Sequence, residues 1–149
     1  MRIVIQRVKR ASVKVDDKVV GQIKEGALVL FGSHKNDTEK QIPWLANKLI
    51  NLRMFKDEKD KMNLSLLDIK GEVLVVPQFT LYGNCMEGRR PSFTEAMEPE
   101  KAKLYFEKFT QEVKKQITNV QTGIFAAVME VDLLNFGPVT FVIDAKSNL

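Results

Sequence analysis

A chain of 149 residues that is 44% hydrophobic and 28% charged is long enough to bury a core without metals or disulfides, and its composition is not that of a disordered polymer. With Cys85 the single cysteine and His34 the single histidine, an internal disulfide, a cysteine-based zinc cluster and a multi-histidine metal site are excluded, and little is left for Ser-His-Asp or Cys-His catalysis. The net charge of +4 suits a polyanionic partner without requiring one, while no apolar run nears the roughly 18 residues of a membrane span and no secretory signal opens the chain, so one cytoplasmic domain over residues 1–149 is expected.

Arg2-Ile3-Val4-Ile5-Gln6-Arg7-Val8 reads as a strand. Residues 12–15 and 19–23 read as a hairpin around Asp16-Asp17-Lys18. Ala27-Leu28-Val29-Leu30-Phe31 is apolar throughout and reads as a strand covered on both faces. Asp37 and Thr38 offer N-caps for a helix with the stripe Ile42, Leu45, Leu49 and Leu52, and Pro43 places its proper start near that point. Residues 53–55 fit a short strand, 57–61 a charged turn, and Val73-Leu74-Val75-Val76 another buried strand. Residues 82–97 carry Gly83, Asn84, Gly88 and Pro91 with few periodic apolar positions, the pattern of a long surface loop of the functional kind. A second helix follows Pro99, with the stripe Ala102, Tyr105, Phe106, Phe109, Val113 and Ile117. Strands at 127–134 and 139–144 close the chain, separated by a turn at Asn135-Phe136-Gly137-Pro138. About eight strands and two helices without regular alternation make an α+β fold, a curved antiparallel or mixed sheet with the helices packed on it.

Two segments are candidates for chemistry. Thr80 lies just beyond the 73–76 strand, where a strand end can present polar groups to a cleft. Pro77 cannot donate to a ladder, so it ends that strand or sits at an edge. On spacing alone, Gln78 and Thr80 are equally well the outward residues of a continuing strand. Gly137-Pro138 is an X-Pro bond, trans by default, in which the glycine permits an unusually tight turn, and Asn135 can bond to that turn's backbone. The plain reading is a hairpin turn between two strands. Arg89-Arg90-Pro91 and the group Arg7, Lys9, Arg10 and Lys14 are either phosphate contacts or a solvated charged face. His34 can serve as a base, but spacing supplies no carboxylate for it. Cys85, in a loop near basic residues, is a reactive thiol or a passive one.

Five segments in order, Arg2-Ile3-Val4-Ile5-Gln6-Arg7-Val8, Met62-Asn63-Leu64-Ser65-Leu66, Gln78-Phe79-Thr80-Leu81-Tyr82, Gly88-Arg89-Arg90-Pro91-Ser92-Phe93 and Asn135-Phe136-Gly137-Pro138-Val139-Thr140, resemble the D-aminoacyl-tRNA deacylases, formerly called D-tyrosyl-tRNA deacylases, over nearly the whole chain. The resemblance implies a barrel-like fold and hydrolysis of the ester that joins a D-amino acid, or glycine, to the terminal adenosine of tRNA, with L-aminoacyl-tRNA spared. It implies tRNA as partner, no cofactor and no metal. It also implies a homodimer in which a Gly-Pro pair with a cis bond enters the other subunit's active site.

Carried over, Gly137 and Pro138 are that chiral-selection element, and Arg7 helps hold it. Gln78, Phe79 and Thr80 line the receiving pocket, and Met129 lies near the adenosine. Two routes stay open: Phe79 and Thr80 N–H groups as oxyanion donors with water activated by the ribose 2′-hydroxyl, or Thr80 as a covalent nucleophile, which needs a base. A tRNA-binding module without activity and a general esterase using Thr80 are the rival readings. The sequence departs from the family pattern at Pro77, where serine is usual, and at Ala126, where Gly-Ala is more often found after the phenylalanine.

Overall fold

Alternation of inward and outward residues starts at Arg2, slips where Lys9 and Arg10 are both exposed, and resumes at Ala11, so the first strand runs unbroken as β1 (Arg2–Val15). The Lys9-Arg10 pair makes one strand look like two in the sequence. The computed structural model describes residues 1–146. After β1 come β2 (Lys18–Ile23), β3 (Gly26–Gly32), α1 (Gln41–Asn51), the short pair β4 (Phe55–Lys56) and β5 (Met62–Leu64), β6 (Glu72–Pro77), a 3-10 turn (Phe79–Tyr82), α2 (Pro99–Lys114), β7 (Val120–Thr122) and β8 (Glu130–Asp144).

The β1–β2 hairpin turns on Asp16 and Asp17 with φ of 49° and 61°, both left-handed as a two-residue hairpin loop requires. The sheet order is β2-β1-β3-β6-β7, with β8 on the free side of β1. β3, β6 and β7 are mutually parallel and the β1 pairings antiparallel, and β2 curls back against β6 and β7. The result is the nearly closed, mixed, barrel-like sheet with two helices that the sequence pattern and the resemblance lead one to expect.

β3, and β6 after Glu72, are apolar because each faces two cores. Val29, Phe31, Val73 and Val75 point to the helices, and Leu28, Leu74 and Val76 to the barrel interior with Val8 and Val13. α2 is seated by Phe109, which is fully buried and stacks on Phe31 with centroids 4.8 Å apart. Its start is capped by Glu98, which accepts the N–H groups of Glu100 and Lys101 at 3.1 and 2.8 Å. α1 begins at Gln41, two residues before Pro43. Neither Asp37 nor Thr38 caps it as expected; Gln41 Oε1 instead accepts the Thr38 N–H at 2.7 Å. Ile117 is buried but lies past the end of α2, and β7 is too short to leave a period in the sequence.

The largest departure is at the C-terminal end. The expected strands at 127–134 and 139–144 are one strand, β8, and the intervening segment is no hairpin turn. Both halves pair with β1, Gln6 opposite Thr140 and Val8 opposite Asn135, so residues 136–139 arch out as a wide bulge opposite Arg7. Among the described residues no helix is long and apolar enough to cross a membrane.

Phe109→Ala is expected to cost about 3–5 kcal/mol, read as a lower urea midpoint with an unchanged m-value; a loss below 1 kcal/mol contradicts the seating of α2 on Phe31.

Candidate active site

The site grows from the way β6 ends. In a parallel ladder successive residues turn their peptide groups to alternate sides. Val75 O accepts the Gly123 N–H at 2.9 Å, and Gln78 N–H donates to Phe31 O at 2.7 Å, so Val75 and Pro77 face the β7 side while Val76 and Gln78 face β3. The β6–β7 ladder ends at Val75 and Thr122. Pro77 therefore sits where no donor is needed, and its Cδ lies 3.5 Å from where a Cβ on Gly123 would stand. The proline ends β6 within the sheet without orphaning a partner.

Beyond it the chain turns into the 3-10 turn at Phe79. The N–H groups of Phe79 and Thr80 open that turn, and neither meets an acceptor among the described residues. Phe79 is exposed and stands edge-on to Phe93 at 4.9 Å. Gln78 Nε2 donates to Thr80 Oγ1, the one hydrogen bond of that hydroxyl among the described residues. The far end of the turn is tied down by Arg2, which donates to Leu81 O at 3.1 Å and bidentately to Asp144 at 2.7 and 3.1 Å. This hydrogen bonding holds the Asp144 carboxyl below its ordinary range, and burial pushes the Tyr82 phenol above its own.

A cleft of about 510 Å³ opens beside this strand end. Its walls are Val76, Pro77, Gln78 and Phe79, then Met97, Pro99 and Ala102 at the start of α2, and Phe125, Ala126, Ala127, Met129 and Val131. None of these side chains ionises. Gly123 leaves the space that Met129 fills, since a Cβ there would stand 2.6 Å from the Met129 sulfur. Ala126 adopts φ of 62°, a left-handed conformation that costs an alanine about 1–2 kcal/mol and explains why a glycine suits this wall.

The second candidate segment is the β8 bulge. Arg7 is buried, 3% exposed, and no carboxylate pairs with it among the described residues. Its guanidinium donates to Phe136 O at 2.9 Å and Met54 O at 2.6 Å and lies 5.3 Å from the centre of the Phe136 ring. Asn135 clamps the arch from its other end, accepting the Val139 N–H at 2.8 Å and donating to Val139 O at 3.2 Å. The Gly137-Pro138 peptide is cis, and Gly137 has φ of 138°. A Cβ on Gly137 would stand 2.9 Å from Arg7 Nη2.

The cleft gathers Pro77, Gln78, Phe79 and Met129, with Thr80 at its rim; Arg7, Gly137 and Pro138 form a separate cluster. Val131 lines the cleft and Gly137 stands six residues further along the same strand, and none of Arg7, Gly137 and Pro138 is among the residues that line the cleft. His34 has a carboxylate after all, Glu95 at 3.0 Å from Nε2, which spacing missed because 61 residues separate them; neither residue lines the cleft. Cys85, Arg89 and Arg90 are exposed on the loop, Arg10 pairs with Asp132, and Lys9 lies over Phe136. Sequence reasoning also missed Met97 and Ala102, whose signal was only a small residue in the α2 stripe facing a strand end.

Fold and cleft together define a class, the barrel-like α+β proteins with an apolar, backbone-lined site at a strand end. The family model described as D-Tyr-tRNA(Tyr) deacylase matches residues 4–144. A D-aminoacyl-tRNA deacylase of Aquifex aeolicus is 56% identical over 146 residues, covering 98% of this chain and 99% of that one. Its counterpart in Thermosipho melanesiensis is 54% identical over 147 residues, 98% of each chain. A solved structure described as a c-Myc DNA Unwinding Element Binding Protein superposes with a TM-score of 0.92 at 36% identity, covering 98% of this chain and 99% of that one. The chain belongs to the D-Tyr-tRNA(Tyr) deacylase family, hydrolases of the aminoacyl-tRNA ester.

Ala126→Gly is expected to raise stability by about 1 kcal/mol, measured as a higher thermal midpoint; a lower one contradicts the strain argument. Arg7→Met removes two charge-assisted hydrogen bonds, each worth about 1.5–3 kcal/mol, and is expected to lower the thermal midpoint and to raise amide exchange at Val139. Unchanged exchange there contradicts the role of Arg7 in holding the arch.

Proposed function

We propose that this chain hydrolyses D-aminoacyl-tRNA, and glycyl-tRNA mischarged on the wrong tRNA, while sparing L-aminoacyl-tRNA, and that it works as a cytoplasmic homodimer without cofactor or metal. The observation that carries the reading is the cleft: no wall residue ionises, yet Phe79 of its wall and the next residue, Thr80, carry N–H donors without an acceptor among the described residues.

Ester hydrolysis passes through a tetrahedral oxyanion. Donors aimed at that oxygen supply about 10²–10³ in rate each without a titrating residue, and this reading gives that role to the Phe79 and Thr80 N–H groups. Water adds to the ester carbonyl as the ribose 2′-hydroxyl of the substrate takes its proton. The C–O bond to the ribose then breaks, and the departing oxygen is protonated. The adenosine lies toward Met129 and Phe125. Thr80 as a nucleophile finds no support, because among the described residues its hydroxyl touches only the Gln78 amide and no base stands within hydrogen-bond reach. Pro77 replaces the serine usual in the family at the cleft wall, so here that position contributes shape and neither a hydroxyl nor an N–H.

The chiral filter is the arch at Gly137 and Pro138. That Gly137 and Pro138 are not among the residues lining their own cleft suits an element that serves a second chain. β8 has one free edge and exposes Leu134, Phe136 and Val142, a long apolar edge of the kind that proteins cover. Seated in the partner's cleft, rigid backbone leaves no room for an L side chain and lets a D side chain point outward. Glycine, without a Cβ, gives the filter nothing to reject.

Release of D-amino acid from D-aminoacyl-tRNA, with L-aminoacyl-tRNA left intact, is the first test; no release at any enzyme concentration returns the reading to an inactive binding module. Thr80→Val is expected to keep kcat within about 10-fold of the unaltered enzyme, whereas loss of about 10⁴ or more favours the covalent esterase route. Gly137→Ala is expected to lower the ratio of D to L hydrolysis at least about 10-fold; an unchanged ratio contradicts the filter.

A further inference from the structure

The deacylase reading leaves one polar groove unused. It holds about 300 Å³ between α2 and the segment after β7, and Phe125 lines both it and the cleft. Lys103 and Lys114 stand on its α2 wall, eleven residues apart and therefore about 16 Å along the helix. Lys114 makes no ion pair among the described residues. Lys103 has Glu107 at 3.9 Å with both side chains more than half exposed, a contact worth little. Between the two cations the groove is lined by the carboxylate of Glu107, the exposed amide of Gln111 and the hydroxyl of Thr110, which is 4% exposed and has no partner among the described residues. Opposite them Ile124, 45% exposed, and Phe125 present apolar surface.

This combination of spaced cations along one wall and apolar or aromatic surface on the other is what single-stranded nucleic acid needs, phosphates on one side and base faces on the other. Its position gives the direction. The ester is held at the Phe79 end of the cleft and the adenosine at the Met129 and Phe125 end, so the strand leading into that adenosine leaves past Phe125. We infer that this groove holds the unpaired nucleotides that precede the terminal adenosine of the tRNA, with Lys103 and Lys114 meeting their phosphates. The inference rests on the deacylase reading. The loop bearing Arg89 and Arg90 belongs to the opposite end, where Phe93 meets Phe79.

The test compares the unaltered protein with the double variant K103E/K114E on two substrates bearing the same ester, D-tyrosyl-tRNA and D-tyrosyl-adenosine. On the tRNA, kcat/KM is expected to fall at least about 10-fold, carried by KM, and the salt dependence of log(kcat/KM) to become shallower by about two. Hydrolysis of D-tyrosyl-adenosine is expected to stay unchanged, because it has no phosphate to lose. An equal fall on both substrates, or no fall on either, overturns the groove assignment. Hydrolysis of neither substrate by the unaltered protein is the separate signature of a failed deacylase reading.

Discussion

Arg7 is the side chain around which this structure is arranged. It takes a full positive charge out of water with no carboxylate beside it, and carbonyl oxygens of Met54 and Phe136 receive it instead. Burying an unpaired cation costs several kcal/mol, and its charge-assisted hydrogen bonds return about 1.5–3 kcal/mol each, so stability alone does not account for it. What the guanidinium secures is geometry. It sits opposite residues 136–139 where they leave the β1 ladder, ties that arch to the loop after α1, and fills the space a side chain at Gly137 would need.

The strand-end cleft shows the complementary economy. Catalytic devices built on histidine or cysteine depend on a pKa tuned by neighbours, and here His34 and Glu95 pair with each other away from the cleft. In the proposed reaction the work falls to fixed backbone dipoles beside an apolar pocket, where exclusion of water strengthens them. Such a site tolerates Pro77 because the β6 ladder has already ended on that side. It is sensitive to backbone conformation at Ala126, where φ is 62°.

Much of the fold was legible because it is written in periods. β3 and β6 are apolar runs facing two cores, and the α2 stripe from Ala102 to Val113 is buried as expected. The errors have one physical origin. Asn135-Phe136-Gly137-Pro138 has the turn chemistry of a hairpin, and local chemistry cannot distinguish a turn from an arch; the difference lies in whether residues 134 and 140 pair with each other or both with β1, a contact some 130 positions away in sequence. The Lys9-Arg10 break in β1 and the His34–Glu95 pair were hidden for the same reason. The residues of the candidate site emerged from resemblance to a family, since a backbone N–H leaves no mark on the identity of the residue that carries it.

Whether the arch of one chain completes the cleft of another, as proposed, is decided by mixing two defects. Ala127→Trp fills the cleft and leaves the arch intact; Gly137→Val leaves its own cleft open and puts a branched side chain on the arch, where it obstructs the partner's cleft. Each variant alone is expected to be inactive on D-aminoacyl-tRNA. Coexpressed, they form a mixed dimer with one intact cleft facing one intact arch, and activity is expected to return to about a quarter of that of the unaltered protein, half the dimers carrying one working site of two. If the mixture stays inactive while the mixed dimer is shown to form, the arch and the cleft work within a single chain and the account is wrong.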